Sequence, residues 1–197
     1  LCEKVCPMLQ PEKVNAVEET YAAYNKDNKI VAKSTSGGVF ASFVQCVIDR
    51  NGVVFGARFD DQWRVMLDYA ETMQDAVKFS GSKSVEAGIG NVYIQVEKFL
   101  KERRMVLFSG TPCQIAGLRA FLRKEYEKLI TVEVVCHGVP STKVWHSYLM
   151  ELIDNFGDGD NSNLEEIKSV NFRYKPDGWR RYKLKVDFRN GKSYAVN

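Results

Sequence analysis

The sequence predicts an α/β protein: a mixed sheet with a βαβ core flanked by helices, followed by antiparallel strands toward the C-terminus. Three observations carry this. Between residues 105 and 153, apolar runs of strand length alternate with segments of helical period, the pattern of a parallel βαβ unit. Two of those runs end in Gly/Pro turns that each carry one cysteine, Phe108-Ser-Gly-Thr-Pro-Cys113 and Val134-Val-Cys136-His-Gly-Val-Pro140. Beyond residue 166 the pattern becomes short alternating runs broken by Pro176-Asp-Gly178 and Arg189-Asn-Gly191, which is hairpin chemistry.

Composition bounds the rest. At 197 residues, 45% hydrophobic and 27% charged, the chain is long enough for a proper core and does not read as disordered. Residues 1–10 are expected to be the tail of a separate module, and 11–197 a single α/β domain left incomplete where the sequence stops inside a strand pattern. The net charge of +3 reads as spread along the chain, so nucleic acid is not an expected partner. Lys101, Arg103 and Arg104, like Arg119, Arg123 and Lys124, are expected on solvated helix faces. No apolar run reaches the roughly 18 residues that span a bilayer, and the N-terminus lacks the apolar core of a signal peptide, so a cytoplasmic protein is expected. Five cysteines, an odd number at irregular spacing, favour reduced thiols and metal ligation over a disulfide framework.

Taken in order, Leu1-Cys2-Glu-Lys-Val-Cys6-Pro7 reproduces the last part of the bacterial ferredoxin cysteine run, where the cysteine before proline ligates the other cluster of a pair. Residues 17–24 read as a polar helix and Asn25-Lys-Asp-Asn28 as a turn. Ser34-Thr-Ser36-Gly37-Gly38 then feeds a helix with Phe40, Phe43, Val44, Val47 and Ile48 at helical spacing, ended by Asn51-Gly52. Such a loop lets backbone N–H groups approach a phosphate at a helix N-terminus, and it is equally the mark of an ordinary Ser cap. Cys46 falls on the expected apolar face as a small core residue. Residues 52–57 and 64–70 read as a strand pair joined at Asp60-Asp-Gln62, Thr72 opens a short helix, and Ser80-Gly81-Ser82-Lys83-Ser84 is a second Ser/Gly loop, whose lysine suits an anion.

The helix 91–104 should bury Val92, Val96, Phe99 and Leu100. The next should bury Ile115, Leu118, Phe121 and Leu122 and contains Gly117, whose cost in a helix interior of roughly 1 kcal/mol implies a close approach. The helix opened by Ser141 is expected to leave Val144, Trp145, Tyr148, Leu149 and Leu152 as its apolar surface. The acidic loop 156–163 has the wrong spacing for calcium. On residue chemistry alone the cysteine turns admit several uses: thiolate ligation of iron–sulfur clusters, Cys113 as a nucleophile with His137 or His146 as base, zinc held by Cys113, Cys136 and His137, or a nucleotide-binding or interaction domain without redox activity.

Ser34-Thr-Ser-Gly-Gly38, Val53-Val-Phe-Gly56, Ser80-Gly-Ser-Lys83, Leu107 to Gly117, Val135 to Ser141 with Val144-Trp145, and Asn171-Phe-Arg173 with Gly178-Trp179 together resemble the coenzyme F-420 hydrogenase/dehydrogenase β-subunit family. The resemblance runs in order from about residue 30 onward. It implies an iron–sulfur flavoprotein oxidoreductase that uses FAD and [4Fe-4S] clusters between a small two-electron carrier and a redox partner protein or ferredoxin-like module. It implies Cys113 and Cys136 as cluster ligands, to be completed by a Cys-x-x-Cys pair outside these residues, and Cys2 and Cys6 as the last cysteines of the ferredoxin module. Ser34, Ser36, Gly37 and Gly38 with Ser80, Gly81, Ser82 and Lys83 are the expected FAD phosphate loops. Gly110, Thr111 and Pro112 are expected beside the flavin. Ser84 stands where the family has tyrosine. Some relatives are associated with surface-polysaccharide synthesis.

Overall fold

A computed structural model describes residues 19–158 and 163–197 of the chain; Cys2 and Cys6 lie outside them. The helices are α1 (Asn28–Lys33), α2 (Val39–Ile48), α3 (Met73–Ala76), α4 (Val92–Lys101), α5 (Pro112–Leu122) and α6 (Thr142–Phe156). The strands are β1 (Val53–Phe59), β2 (Val65–Ala70), β3 (Ala87–Gly88), β4 (Val106–Gly110), β5 (Leu129–Glu133), β6 (Ile167–Tyr174), β7 (Lys183–Phe188) and β8 (Ser193–Val196). One sheet has the order β3-β2-β1-β4-β5, the other β6-β7-β8. The α/β class, the parallel βαβ core and the antiparallel C-terminal strands all match the sequence reading.

The chain divides into two compact units interleaved in sequence. The first takes residues up to Gly56, Asp68–Val77 and Asn91–Cys136. In it β4 pairs in parallel with β1, Phe55 opposite Phe108, and with β5, from Val106 opposite Leu129 to Gly110 opposite Glu133. Strands covered on both faces must be apolar at consecutive positions. Accordingly Val53, Val54 and Phe55 and Val106, Leu107 and Phe108 are all fully buried. Helix α4 supplies Val92, Val96, Phe99 and Leu100 to this core, the four residues its period predicts, and α5 supplies Ile115, Leu118 and Leu122.

Local chemistry departs from expectation at several points. Residues 19–27 are not helical; Asp27 instead caps α1, its side chain accepting from the Lys29 N–H. Helix α2 buries only Val44 and Val47, so Cys46 is exposed and takes a 2.8 Å bond from the Arg50 guanidinium, contrary to its expected core role. Phe43 is exposed for the same reason: the covered stripe is narrower than the apolar one. Arg104 is no solvated surface charge, since its guanidinium donates to the carbonyls of Asn51 and Gly52 and pairs with Glu71, tying the chain after α4 to the start of β1. Gly117 makes room for a side chain of the protein itself. A Cβ there would stand 2.9 Å from the hydroxyl of Tyr93, which donates to the Gln114 carbonyl at 2.7 Å.

The second unit comprises Ala57–Leu67, Lys78–Gly90 and His137–Asn197. Strand β6 runs antiparallel to β7, and β7 to β8. Its core gathers Trp145, Leu149, Leu152 and Ile153 of α6 with Ile167, Val186 and Phe188 of the sheet. Trp145, Leu149 and Leu152 are therefore interior, not the surface residues the sequence suggests, because the small antiparallel sheet needs a helix to cover its apolar face. The hairpin turn at residues 60–64 closes with the Asp60 N–H on the Arg64 carbonyl at 2.9 Å.

Candidate functional site

The site is built from the ends of two parallel strands. Gly110 of β4 lies opposite Glu133 of β5, and each cysteine stands three residues further on, Cys113 after Gly110 and Cys136 after Glu133. Neighbouring strands lie about 4.8 Å apart, so equal offsets bring two thiols to one end of the sheet. Both are exposed and neither is in a disulfide. The carboxyl ends of strands are where open α/β sheets hold ligands.

The turn that presents Cys113 is stiff. Pro112 occupies the first position of α5, where its missing N–H costs nothing. Gln114 reaches back to accept from the Thr111 N–H at 3.0 Å, and the Thr111 hydroxyl lies 3.1 Å from the Cys113 sulfur. Gly110 is required by packing, since a Cβ there would meet the Phe108 ring and the Gln114 side chain at 3.0 Å. The strand that leads to Cys136 is less enclosed. β5 is an edge strand, and Ile130, Val134 and Val135 are exposed, although an Ile/Val-rich run such as 130–135 has the composition of a buried strand. Two thiols are half of the set an iron–sulfur cluster requires. Among the described residues no group of three or more His, Cys, Asp and Glu side chains is placed to hold a metal ion, so neither a whole cluster nor the zinc trio of Cys113, Cys136 and His137 is assembled there.

The two Ser/Gly loops lie in different units. In the first, Ser34 does not cap α2. Its hydroxyl donates to the Ile30 carbonyl at 2.7 Å, closing α1, while Gly38 at φ 77° is the residue that opens α2, with no side-chain cap. The N-cap of α2 thus supplies no side-chain oxygen to the first N–H groups of the helix, and a helix N-terminus suits an anion. Gly37 is spoken for on its carbonyl side, accepting from the Asn25 N–H at 2.7 Å. In the second loop the Lys83 ammonium donates to the carbonyls of Ser80 and Gly81 at 3.0 and 3.1 Å. Carbonyls converge on a cation there. Burial draws the Lys83 pKa down to about 8. His146, a candidate base, lies on α6 with its Nε2 buried and unbonded.

Residues 103–196, just under half of the chain, match the family model that describes the C-terminal part of the coenzyme F420 hydrogenase/dehydrogenase β-subunit. Through those residues the chain is similar to the C-terminal part of that β-subunit. The match covers the Cys113 and Cys136 turns, α6 and the antiparallel sheet of this chain. Its fold is also similar to a chain of the F420-reducing [NiFe] hydrogenase complex from Methanosarcina barkeri, solved in a xenon derivatization, with a TM-score of 0.58 at 18% identity. That likeness covers 88% of this chain and 58% of that one, so this chain spans little more than half the length of its structural neighbour. No curated protein matches its sequence at a significant level. Among the described residues no helix is long and apolar enough to cross a membrane.

Proposed function

We propose that the protein is an oxidoreductase subunit that works with FAD and iron–sulfur clusters, between a small two-electron carrier and a redox partner protein or ferredoxin-like module. The observation that carries this reading is the pair Cys113 and Cys136, two exposed thiols at equal distance past a paired rung of parallel strands. The similarity of residues 103–196 to the β-subunit family model supports the same reading. A cluster at this place needs two further ligands, which the proposal draws from outside the described residues.

When bound, flavin supplies exchange between hydride and single-electron chemistry. The chain's own part is to bind and orient. The uncapped start of α2 after Ser34, Ser36, Gly37 and Gly38 would take one phosphate, with the helix dipole favouring its charge. At the loop Ser80, Gly81, Ser82 and Lys83, taken by itself, a phosphate would require Lys83 to exchange its two carbonyl partners for phosphate oxygens. Gly110, Thr111 and Pro112, held by Gln114 and Phe108, would present a rigid wall beside the ring system.

The test is anaerobic purification of the protein with iron and sulfide, followed by iron quantitation and a visible spectrum. Bound flavin is expected, with iron that falls at least tenfold in Cys113→Ser and in Cys136→Ser while flavin stays. Absence of both flavin and iron from the wild-type protein would sink the proposal.

A further inference from the structure

The connection between β6 and β7 concentrates charge that the linear count hides. Within residues 173–185, Arg173, Lys175, Arg180, Arg181, Lys183 and Lys185 stand against a single carboxylate, Asp177, whereas the whole chain carries only +3. The charge is therefore not evenly spread, contrary to the sequence expectation, and the rest of the chain is net negative. Part of this charge is answered internally: Lys185 pairs with Asp187 at 2.7 Å, and Lys183 lies 3.5 Å from Asp177. Arg180 and Arg181 are exposed and reach no carboxylate among the described residues.

Two exposed aromatic side chains stand among these cations. Trp179 is 48% exposed and Tyr182 45%, high for rings of that size. The Lys175 ammonium lies 3.7 Å from the centre of the Trp179 ring, and the Arg173 guanidinium 4.0 Å from that of Tyr182. Each long cation is thus held against a ring, which reduces the side-chain entropy that a binding partner would otherwise have to remove. Gly178, at φ 94°, has nothing within 4 Å of where a side chain would begin, so the surface there is open. Small ligands are usually enclosed in concave sites. Exposed Trp, Tyr and Arg on an open surface are instead the residue types enriched at the centres of protein interfaces.

We propose that the β6–β7 connection is a docking surface for a partner protein that presents a carboxylate-rich face. Carboxylates match the forked arginines in geometry and sign. Single-stranded nucleic acid is a poorer fit, because its bases stack on free ring faces, and here a cation already covers one face of each ring. This inference stands on surface chemistry alone and does not depend on the redox reading.

The test uses labelled poly-L-glutamate and, at matched length, oligothymidylate, each titrated with the full chain at several salt concentrations and followed by fluorescence anisotropy. Poly-L-glutamate is expected to bind, with affinity falling steeply as salt rises. The Arg180→Glu, Arg181→Glu double variant, altered only at exposed positions, should fold as judged by circular dichroism and bind at least tenfold more weakly. Arg180→Lys with Arg181→Lys should keep most of the affinity. Tighter binding of oligothymidylate through the same residues would reassign the surface to nucleic acid, and an unchanged affinity in the charge-reversed variant would overturn the proposal.

Discussion

The indole N–H of Trp145 donates to the backbone carbonyl of Trp63 at 2.9 Å, while the indole of Trp63 donates onward to the carbonyl of Leu164 at 3.1 Å. Trp63 has a left-handed backbone, φ 55°, uncommon for so bulky a residue. Its place is fixed by these two bonds and by an edge-on contact with Phe59, whose ring centre is 5.3 Å away. Trp145→Phe keeps most of the apolar volume and takes the indole donor away from the half-buried Trp63 carbonyl. It is expected to lower stability by about 1–3 kcal/mol, read from the urea midpoint at unchanged slope.

Gly117 and Tyr93 should be coupled. Alanine in a helix interior gains about 1 kcal/mol over glycine, but a Cβ at 117 displaces the Tyr93 hydroxyl from the Gln114 carbonyl. Gly117→Ala is therefore expected to be neutral or destabilising alone, and stabilising by about 1 kcal/mol once Tyr93→Phe has removed the hydroxyl. A double-mutant cycle measures this directly. Simple additivity would mean that the glycine serves something other than Tyr93.

Asp187 ties three strands together. Its carboxylate pairs with Lys185 and accepts from Ser169 at 2.8 Å and from Ser193 at 2.6 Å. Burial alone raises its pKa, but these bonds outweigh burial and hold the group at about 2. The unfolded carboxyl titrates near about 3.9. Because the folded value is the lower one, the stabilisation is complete above about pH 4 and is lost as pH falls toward about 2. Asp187→Asn should be less stable than wild type at neutral pH, with the gap closing below about pH 4 in urea melts across that range.

Lys83 runs the other way from a paired lysine. Burial lowers its pKa to about 8, against about 10.4 unfolded. Between those values the unfolded chain holds a proton that the folded chain lacks, so stability rises with pH across that window. Lys83→Met should be more stable than wild type at neutral pH and lose the advantage by about pH 10. Competitive acetylation should give a midpoint near 8 for this amine, and a phosphate ligand at the loop should move that midpoint upward.

How far the sequence can be read depends on what covers each element. Helix α4 is legible residue by residue, because Val92, Val96, Phe99 and Leu100 repeat at helical period with polar residues between them. The cysteine turns are legible because Gly, Pro and Thr have narrow local uses. Helix α2 is not, because apolar residues outnumber the positions that the core covers, and periodicity cannot say whether Phe43 or Val44 turns inward. The burial of Trp145 depends on a sheet that begins at Ile167, which no local window contains. Residues 130–135 read as interior because Ile and Val dominate, while the pairing makes β5 an edge. The cationic stretch at 173–185 is plain in the sequence, and a net charge taken over the whole chain conceals it.

The interleaving of the two units bears on how the protein can be taken apart. The boundary between them falls inside β1, after Gly56, and inside β2, after Leu67, and the backbone passes from one unit to the other again after Val77, Gly90 and Cys136. No single cut in the gene yields either half with its own complement of strands. Swapping one half between relatives therefore demands several simultaneous splices, two of them through the middle of a strand.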